Sequence, residues 1–282
     1  QPLKAITYEL PIASAQIKSC LLLAGLYAQG KTCIVENVTT RDHTERMLRS
    51  CSYKVTCSDN CITLNGGGEL EACDIDIPSD ISSAAFFMVA ACISDKADIV
   101  LEAVNINPTR TGVIDILKLM GGNIELLNER LDGGELIADI RVQSSNLKGI
   151  QIPEHLVPLA IDEFPALFIA ASCAQGETLL TGAKELRVKE SDRIQVMADG
   201  LSTLGINNQV LEDGIRIIGG EFKEQASPIE SHHDHRISMA FAIASVRSSS
   251  NISINGVENV KTSFPNFVEL ANSIGMSITE SA

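Results

Sequence analysis

The apolar positions of the chain concentrate in four stretches of small and aliphatic residues that are apolar nearly all round. A stretch of this kind predicts a buried helix, because a helix at a protein surface keeps one polar face. A short segment rich in β-branched residues follows each stretch and predicts a strand. The four helices are predicted over residues 14–26, 82–91, 164–171 and 236–244, and the strands over residues 32–35, 98–101, 178–180 and 251–254.

A second, amphipathic helix follows each of these strands. The second helices are predicted to begin near Asp42, Thr111, Ser191 and Phe264. Three of them run into a glycine, the residue that most often follows a helix end: Gly121, Gly205 and Gly275. Further strands follow the first three copies, for example over residues 124–127 and 215–218. The chain therefore repeats a helix–strand–helix–strand–strand unit about every 70 to 80 residues, which predicts an α/β fold.

An acidic segment that contains a proline, residues 71–80, separates the first unit from the other three. We predict a domain boundary there, with domains at residues 1–76 and 77–282. A single unit of about 75 residues is too small to close a core of its own. We therefore expect the chain to be a piece of something longer, with its first domain incomplete.

Composition excludes several classes of partner. The 282 residues carry 22 Lys and Arg against 36 Asp and Glu, a formal net charge of −14. Nucleic-acid binding needs a basic face, so we expect no nucleic-acid partner. No apolar run approaches the roughly 20 residues of a membrane helix, so we expect no membrane partner.

The eight cysteines and five histidines offer two metal-site alternatives. Cys51, Cys57, Cys61 and Cys73 lie close in sequence, but they lack the paired spacing that is typical of zinc sites. The His232–His235 segment is the second alternative, although its spacing rarely converges three ligands. We expect free thiols, as in cytosolic proteins, with Cys20 and Cys92 buried as small hydrophobic residues.

Basic residues recur where helices begin, although the helix dipole disfavours positive charge there. They are Arg41, Arg110, the group Arg187, Lys189 and Arg193, and Arg236. Free N–H groups at a helix start, together with an arginine, form a clamp for phosphate or carboxylate. The pattern predicts a small ligand with several negative groups; the alternative is that each cation pairs with a neighbouring acid.

Three acids stand beside these cations and are candidates for proton transfer: Asp162, Glu163 and Glu190. The alternative is that they only cap helices. Asp42 and Glu45 have the spacing of a capping box for the second helix of the first unit.

These strings together resemble the 5-enolpyruvylshikimate-3-phosphate synthase family (3-phosphoshikimate 1-carboxyvinyltransferases). The matching segments are residues 13–19 (ASAQIKS), 40–46 (TRDHTER), 78–84 (PSDISSA), 107–112 (NPTRTG), 162–165 (DEFP), 185–193 (ELRVKESDR), 234–236 (DHR) and 263–265 (SFP). The resemblance implies the enolpyruvyl transferase fold, an inside-out α/β barrel of two globes with three βαβαββ units each. Because only four units are present, the chain is similar to the carboxy-terminal two thirds of such an enzyme.

The resemblance implies transfer of the enolpyruvyl group of phosphoenolpyruvate to the 5-hydroxyl of shikimate 3-phosphate, without a metal or another cofactor. It implies that Ser14, Ala15, Gln16 and Arg41 line the shikimate 3-phosphate site. Asp162 would accept the 5-hydroxyl proton, Lys189 would hold shikimate 3-phosphate, and Glu190 would handle the proton at the methylene carbon. Arg193 and Arg236 would bind phosphoenolpyruvate. One departure is Thr262, which stands where some members carry a lysine; Lys261 is adjacent.

Two alternatives remain at this point. One is the related enzyme that acts on UDP-N-acetylglucosamine, although its signature loops are not found here. The other is a folded fragment without activity. The resemblance further implies a cytoplasmic enzyme that is a monomer when complete, with the missing amino-terminal portion as the partner of this chain.

Overall fold

A computed structural model of the protein describes residues 2–280, which contain nine α-helices and twelve strands. The helices are α1 Ala15–Leu26, α2 His43–Ser50, α3 Ile81–Ile93, α4 Gly112–Leu119, α5 Phe164–Cys173, α6 Arg193–Thr203, α7 His235–Ala244, α8 Val260–Ser263 and α9 Phe267–Ser273. The strands are β1 Thr7–Glu9, β2 Lys31–Val35, β3 Val55–Ser58, β4 Cys61–Asn65, β5 Asp98–Asn105, β6 Asn123–Asp132, β7 Glu135–Gln143, β8 Glu177–Leu180, β9 Asn207–Val210, β10 Ile215–Ile218, β11 Ile229–Glu230 and β12 Ile254–Asn255.

The four apolar stretches form α1, α3, α5 and α7, as predicted, and the repeating order of elements is confirmed. The predicted helix ends are also confirmed. Gly121, Gly205 and Gly275 have φ values of +93°, +77° and +100°. Side chains disfavour this left-handed backbone, so glycine ends these helices without strain.

Each repeat builds a small sheet. The strand orders are β1-β2-β4-β3, β5-β7-β6 and β8-β10-β9, with a two-stranded β11-β12 sheet in the last repeat. In the first sheet, β1 runs parallel to β2, whereas β2–β4 and β3–β4 are antiparallel. The β8–β10 and β9–β10 pairs are antiparallel, and β11–β12 is parallel.

The chain divides into two compact units. The first comprises the chain up to Pro78, Asn105–Arg110 and Glu129–Ala138; the second comprises Ser79–Val104, Thr111–Asn128 and the chain from Asp139 onward. The division into domains 1–76 and 77–282 stays a prediction.

The core of the first unit lies between α1 and its sheet. It is built on Leu22, Ile34, Ile62 and Leu64, all of them buried. Close packing at this point requires a glycine after β4, because a Cβ on Gly66 would lie 1.9 Å from the carbonyl oxygen of Ala28.

The core of the second unit is built on α3, α5 and α7, which are buried along almost their whole length. Phe86 and Phe87 of α3 pack against Phe267 of α9, with ring centroids 6.2 and 5.8 Å apart. Uniform apolarity fits these three helices because a buried helix has no solvent-facing side.

The burial on all faces that the apolar pattern predicts is not found for α1, which lies in the domain that we expect to be incomplete. Among its residues only Lys18, Leu22 and Gly25 are buried, while Leu23 is half exposed. Cys20 is exposed and not buried as expected, whereas Cys92 is buried as predicted. The sequence of α1 is apolar like those of α3, α5 and α7, but the described residues do not cover the outer face of α1.

The expectation of free thiols is wrong for one pair. Cys33 on β2 and Cys61 on β4 form a disulfide, with their Cα atoms 6.2 Å apart. The two strands are hydrogen-bonded neighbours, and Cys61 pairs with Val35, two residues from Cys33. No helix within residues 2–280 has the length and apolarity to cross a membrane.

Candidate active site

Asp162 lies at the centre of a group of charged side chains in the second unit. It stands in the turn before α5, and its Oδ1 is 3.4 Å from Lys189 Nζ and 3.6 Å from Arg193 Nη1. Its main-chain carbonyl accepts a hydrogen bond from Arg236 Nη1 at 2.9 Å. The structure thus brings together four of the predicted site residues from three separate helix starts.

Arg193, the first residue of α6, is the most deeply buried member of this group, with 1 % of its side chain exposed. Its Nε donates to Asp234 Oδ2 at 2.8 Å, and its Nη2 donates to Glu190 Oε2 at 2.6 Å. Its Nη1 is buried and makes no hydrogen bond to the described residues. An unsatisfied donor on a buried cation is costly, and it is typical of a site where a ligand supplies the acceptor.

Asp234 contacts Arg193 in this group, although sequence reasoning did not include it among the candidate site residues. It is fully buried, caps α7 by accepting from the main-chain N–H of Arg236 at 2.9 Å, and also accepts from Ser191 Oγ at 3.0 Å. Burial opposes its ionisation, but the hydrogen bond and charge of Arg193 outweigh burial and lower the pKa of this carboxyl. Its place directly before the basic start of α7 is the signal in the sequence that could have identified it.

Lys189 and Glu190 occupy the loop before α6 and differ in their surroundings. Lys189 is mostly buried and also contacts Glu185, whereas the side chain of Glu190 is half exposed. Asp162 beside a cation and the accessible Glu190 beside Arg193 are carboxylates of the kind that can act as a general base or a general acid. The neighbouring His235 has a lowered pKa because of burial and of the charge on Arg236.

The other predicted site residues lie together in the first unit. Ser14 caps α1, accepting from the main-chain N–H of Ile17 at 3.3 Å. A cavity of about 370 Å³ opens beside this helix start, and its lining consists of Ala15, Gln16, Ser19, Arg41, His43 and Thr44. The cavity therefore joins the start of α1 to the loop before α2, which is the arrangement expected of an anion site.

The predicted capping box at α2 is wrong. Asp42 stands at the cap position, but its side chain makes no capping hydrogen bond. It accepts instead from Arg46 Nε at 2.8 Å and from Asn107 Nδ2 at 2.7 Å. Burial would raise the pKa of Asp42, yet these hydrogen bonds hold it below its ordinary value. Glu45, the other half of the expected box, turns inward and pairs with Lys18 at 2.8 Å.

The imidazole ring of His43 contacts the carboxylate of Glu135. Its Nδ1 lies 2.7 Å from Glu135 Oε1, and Asn107 Nδ2 donates to the other oxygen of Glu135 at 3.1 Å. The pKa of Glu135 is lowered, because the hydrogen bond and charge of His43 and the bond from Asn107 outweigh its burial. These contacts fix the orientation of the histidine ring at the wall of the cavity.

Neither metal-site alternative gains geometric support. Within residues 2–280, no group of three or more His, Cys, Asp or Glu side chains is placed to hold a metal ion. His233 Nδ1 instead lies 3.1 Å from Glu258, and Cys61 is part of the disulfide.

The family model of EPSP synthase (3-phosphoshikimate 1-carboxyvinyltransferase) matches residues 1–270 of this chain. The chain belongs to this family. A 3-phosphoshikimate 1-carboxyvinyltransferase from Ruthia magnifica is 70 % identical over 278 residues, and the one from Vesicomyosocius okutanii is 68 % identical over 279 residues. Each alignment covers 99 % of this chain and 64 % of the relative. The chain therefore spans somewhat less than two thirds of the length of these relatives.

The solved structures agree with the sequence comparison. An EPSP synthase from Acinetobacter baumannii superposes with a TM-score of 0.94 at 60 % identity, covering 100 % of this chain and 65 % of the other. The predicted fold class, the α/β enolpyruvyl transferase fold of the family, is confirmed. Family membership also accounts for the repeated helix–strand units, which the sequence pattern had indicated independently.

Proposed function

We propose that this chain, completed by an amino-terminal portion, transfers the enolpyruvyl group of phosphoenolpyruvate to the 5-hydroxyl of shikimate 3-phosphate. In the first step the hydroxyl oxygen bonds to C2 of phosphoenolpyruvate, the hydroxyl proton leaves to a base, and C3 takes up a proton. In the second step C3 loses a proton, the C2–C3 double bond forms again, and the C2–O bond to phosphate breaks. The products are the enolpyruvyl ether and free phosphate.

The observation that carries this proposal is the buried Arg193, whose Nη1 lies 3.6 Å from Asp162 Oδ1 and makes no hydrogen bond to the described residues. Phosphoenolpyruvate has a carboxylate and a phosphate, and guanidinium groups bind both through paired hydrogen bonds. Arg236, at the start of α7, is the second guanidinium of the group. Because the site is largely buried, these charged hydrogen bonds are stronger than they would be in water.

The residues around Arg193 suit the two proton transfers. Asp162 has a carboxylate oxygen close to Lys189, so a hydroxyl placed there would be near both a proton acceptor and a cation. We assign Asp162 as the base for the 5-hydroxyl and Lys189 as a contact of shikimate 3-phosphate that also assists catalysis. Glu190, which contacts Arg193 and is accessible, is assigned to the proton at C3.

In the first unit, the cavity beside α1 supports the assignment of the second substrate. Ser14, Ala15 and Gln16 provide a helix start with free N–H groups, and Arg41 supplies positive charge. A helix start and an arginine together are typical of a phosphate site. We assign these four residues to shikimate 3-phosphate, and we expect the completed enzyme to act as a cytoplasmic monomer.

Family membership favours this reaction over the UDP-N-acetylglucosamine alternative. The direct test joins this chain to the amino-terminal portion of the Ruthia magnifica relative and measures phosphate release with both substrates. We expect turnover that depends on both substrates and is lost in the matched Asp162→Asn protein. A folded chimaera that binds neither substrate would contradict the proposal.

A further inference from the structure

A lysine is buried beneath the cavity of the first unit. Lys18, in the first turns of α1, has 0 % of its surface exposed. Its Nζ lies 2.8 Å from Glu45 Oε1 and 3.2 Å from Glu36 Oε2, and it donates to the main-chain carbonyl of Thr40 at 3.3 Å. Only 1 % of the side chain is exposed, so Lys18 has almost no surface with which to contact a ligand.

Stability alone does not explain this network. A buried ion pair loses so much hydration that well-packed apolar residues in its place often give an equal or greater stability. Here one cation faces two acids, and Glu45 Oε2 is buried without a hydrogen bond to the described residues. A network that leaves a charged oxygen unsatisfied is poorly arranged for stability. Its effect lies instead in the positions that it imposes on neighbouring residues.

The geometry that it imposes is that of the loop before α2. Glu36 Oε2 accepts from the main-chain N–H of Thr40 at 3.3 Å and from Thr40 Oγ1 at 2.8 Å. Lys18 Nζ holds the carbonyl of the same residue. Thr40 is therefore fixed through both its main-chain groups and its side chain, and the next residue in the chain is Arg41.

Lys18 is tied to the opposite wall of the cavity as well. Its main-chain N–H donates to the carbonyl of Ser14 at 3.1 Å, which closes the first turn of α1. Glu45 lies in the first turn of α2, and Ser19 Oγ and Thr44 Oγ1 are 2.7 Å apart beside it. The ammonium group of Lys18, together with the Ser19–Thr44 contact, thus links the start of α1 to the loop that carries Arg41.

We infer that Lys18 is a positioning residue, which holds Arg41 against the start of α1 and thereby sets the affinity for the phosphorylated hydroxy substrate. This inference rests on the proposed function for the identity of that substrate, shikimate 3-phosphate. Phosphoenolpyruvate is assigned to residues of the second unit, so its binding does not depend on Lys18. The predicted signature is a change in the affinity for one substrate only.

The test uses the completed chimaera with Lys18→Met, which keeps the length of the side chain and removes its charge. Since this change leaves two buried acids unpaired, the double variant Lys18→Met/Glu45→Gln is made as well, and Thr40→Val removes one hydrogen bond with all charges still paired. Lys31→Met is the matched control, because Lys31 is an exposed lysine at the start of β2. Circular dichroism establishes which proteins fold.

Calorimetry gives the dissociation constant of shikimate 3-phosphate, and initial rates give KM for each substrate and kcat. Loss of one charge-assisted contact to the substrate corresponds to about a tenfold weaker affinity. We expect that change in the folded Lys18 variants, about threefold in Thr40→Val, and none in Lys31→Met. The KM for phosphoenolpyruvate and kcat should stay within about twofold.

Unchanged affinity for shikimate 3-phosphate in the folded variants would overturn the inference, and so would a parallel loss of both affinities. If neither Lys18 variant folds, the dissociation constant of the Thr40→Val protein for shikimate 3-phosphate still tests the inference. If the parent chimaera binds shikimate 3-phosphate but releases no phosphate, the proposed function fails. The dissociation constants of the variants still test whether Lys18 sets the affinity. If it binds no shikimate 3-phosphate, both proposals fail.

Discussion

The ion pair between Arg193 and Asp234 can be tested by removing the charge of Asp234 while the size of its side chain is kept. In Asp234→Asn the side chain keeps its size, and asparagine caps a helix about as well as aspartate. The hydrogen bond to the N–H of Arg236 can therefore persist. What disappears is the negative charge that faces Arg193 through contacts of 2.8 and 3.4 Å, together with the acceptor oxygen that the amide nitrogen replaces.

The magnitude follows from burial. Removing one member of a buried ion pair destabilises a protein by about 3–5 kcal/mol, since the other charge is left in a dry environment. Glu190 still contacts Arg193, so we expect a value near 3 kcal/mol at the low end of that range. For a unit of this size the melting temperature then falls by roughly 6–12 °C.

The pH dependence supplies an independent check on the same residue. The pKa of Asp234 is lower in the folded protein than the ordinary value of 3.8. Its stabilising contribution is therefore complete above that value and is lost as the pH falls through the lowered pKa. The difference in melting temperature between the parent and Asp234→Asn should stay constant from about pH 5 to 8 and narrow below about pH 4.

Thermal melts followed by circular dichroism measure both effects on the 282-residue chain. The matched control is Asp98→Asn, which breaks an exposed pair with Arg141 at 2.7 Å. Exposed pairs contribute little, so the control should melt within about 2 °C of the parent. Equal melting temperatures for the two variants would refute the reasoning, because the Asp234 pair is buried and the Asp98 pair is exposed.

Three further outcomes are expected. In the completed enzyme, Asp162→Asn should lower kcat at least about a hundredfold with both KM values nearly unchanged, and activity within a few-fold of the parent would make Asp162 a structural residue. Arg236→Ala should raise the KM for phosphoenolpyruvate about ten- to a hundredfold with little loss of thermal stability, whereas Arg193→Ala should lower both binding and stability because Arg193 is buried. Limited proteolysis of the chain, read by mass spectrometry, should cut first before Cys73 and leave a fragment of about 22 kDa; a first cut within the later repeats would contradict this.

Local features of the fold could be predicted well from the sequence. The ends of α4, α6 and α9 follow from glycines whose backbone no other residue adopts easily, and the four apolar helices follow from composition alone. Such features depend on neighbours within one or two turns. Pattern reasoning is sufficient for them because the physical cause lies in the same short segment.

Pairings across the chain could not be predicted in the same way. Arg193 and Asp234 are 41 residues apart, and both were visible as charged residues at helix starts. Nothing in the pattern says that one satisfies the other. Glu45 is the opposite case, because a local pattern predicts a contact that does not form. Its spacing fits a capping box, yet the buried ammonium group of Lys18 attracts the carboxylate more strongly than an exposed helix end does.

The contrast between α1 and α3 shows why an apolar pattern does not by itself fix burial. Both helices are apolar on most faces, but α3 is buried at nearly every position, whereas Leu23 of α1 and Tyr27 at its end are exposed. An apolar pattern indicates which faces of a helix can be buried. Which of these faces are buried depends on the other elements that pack against the helix. The one polar side chain that α1 does bury completely, Lys18, points toward Glu36 and Glu45 beneath the cavity. Within α1, then, the face whose burial is complete in this chain is the one that shapes the proposed phosphate site.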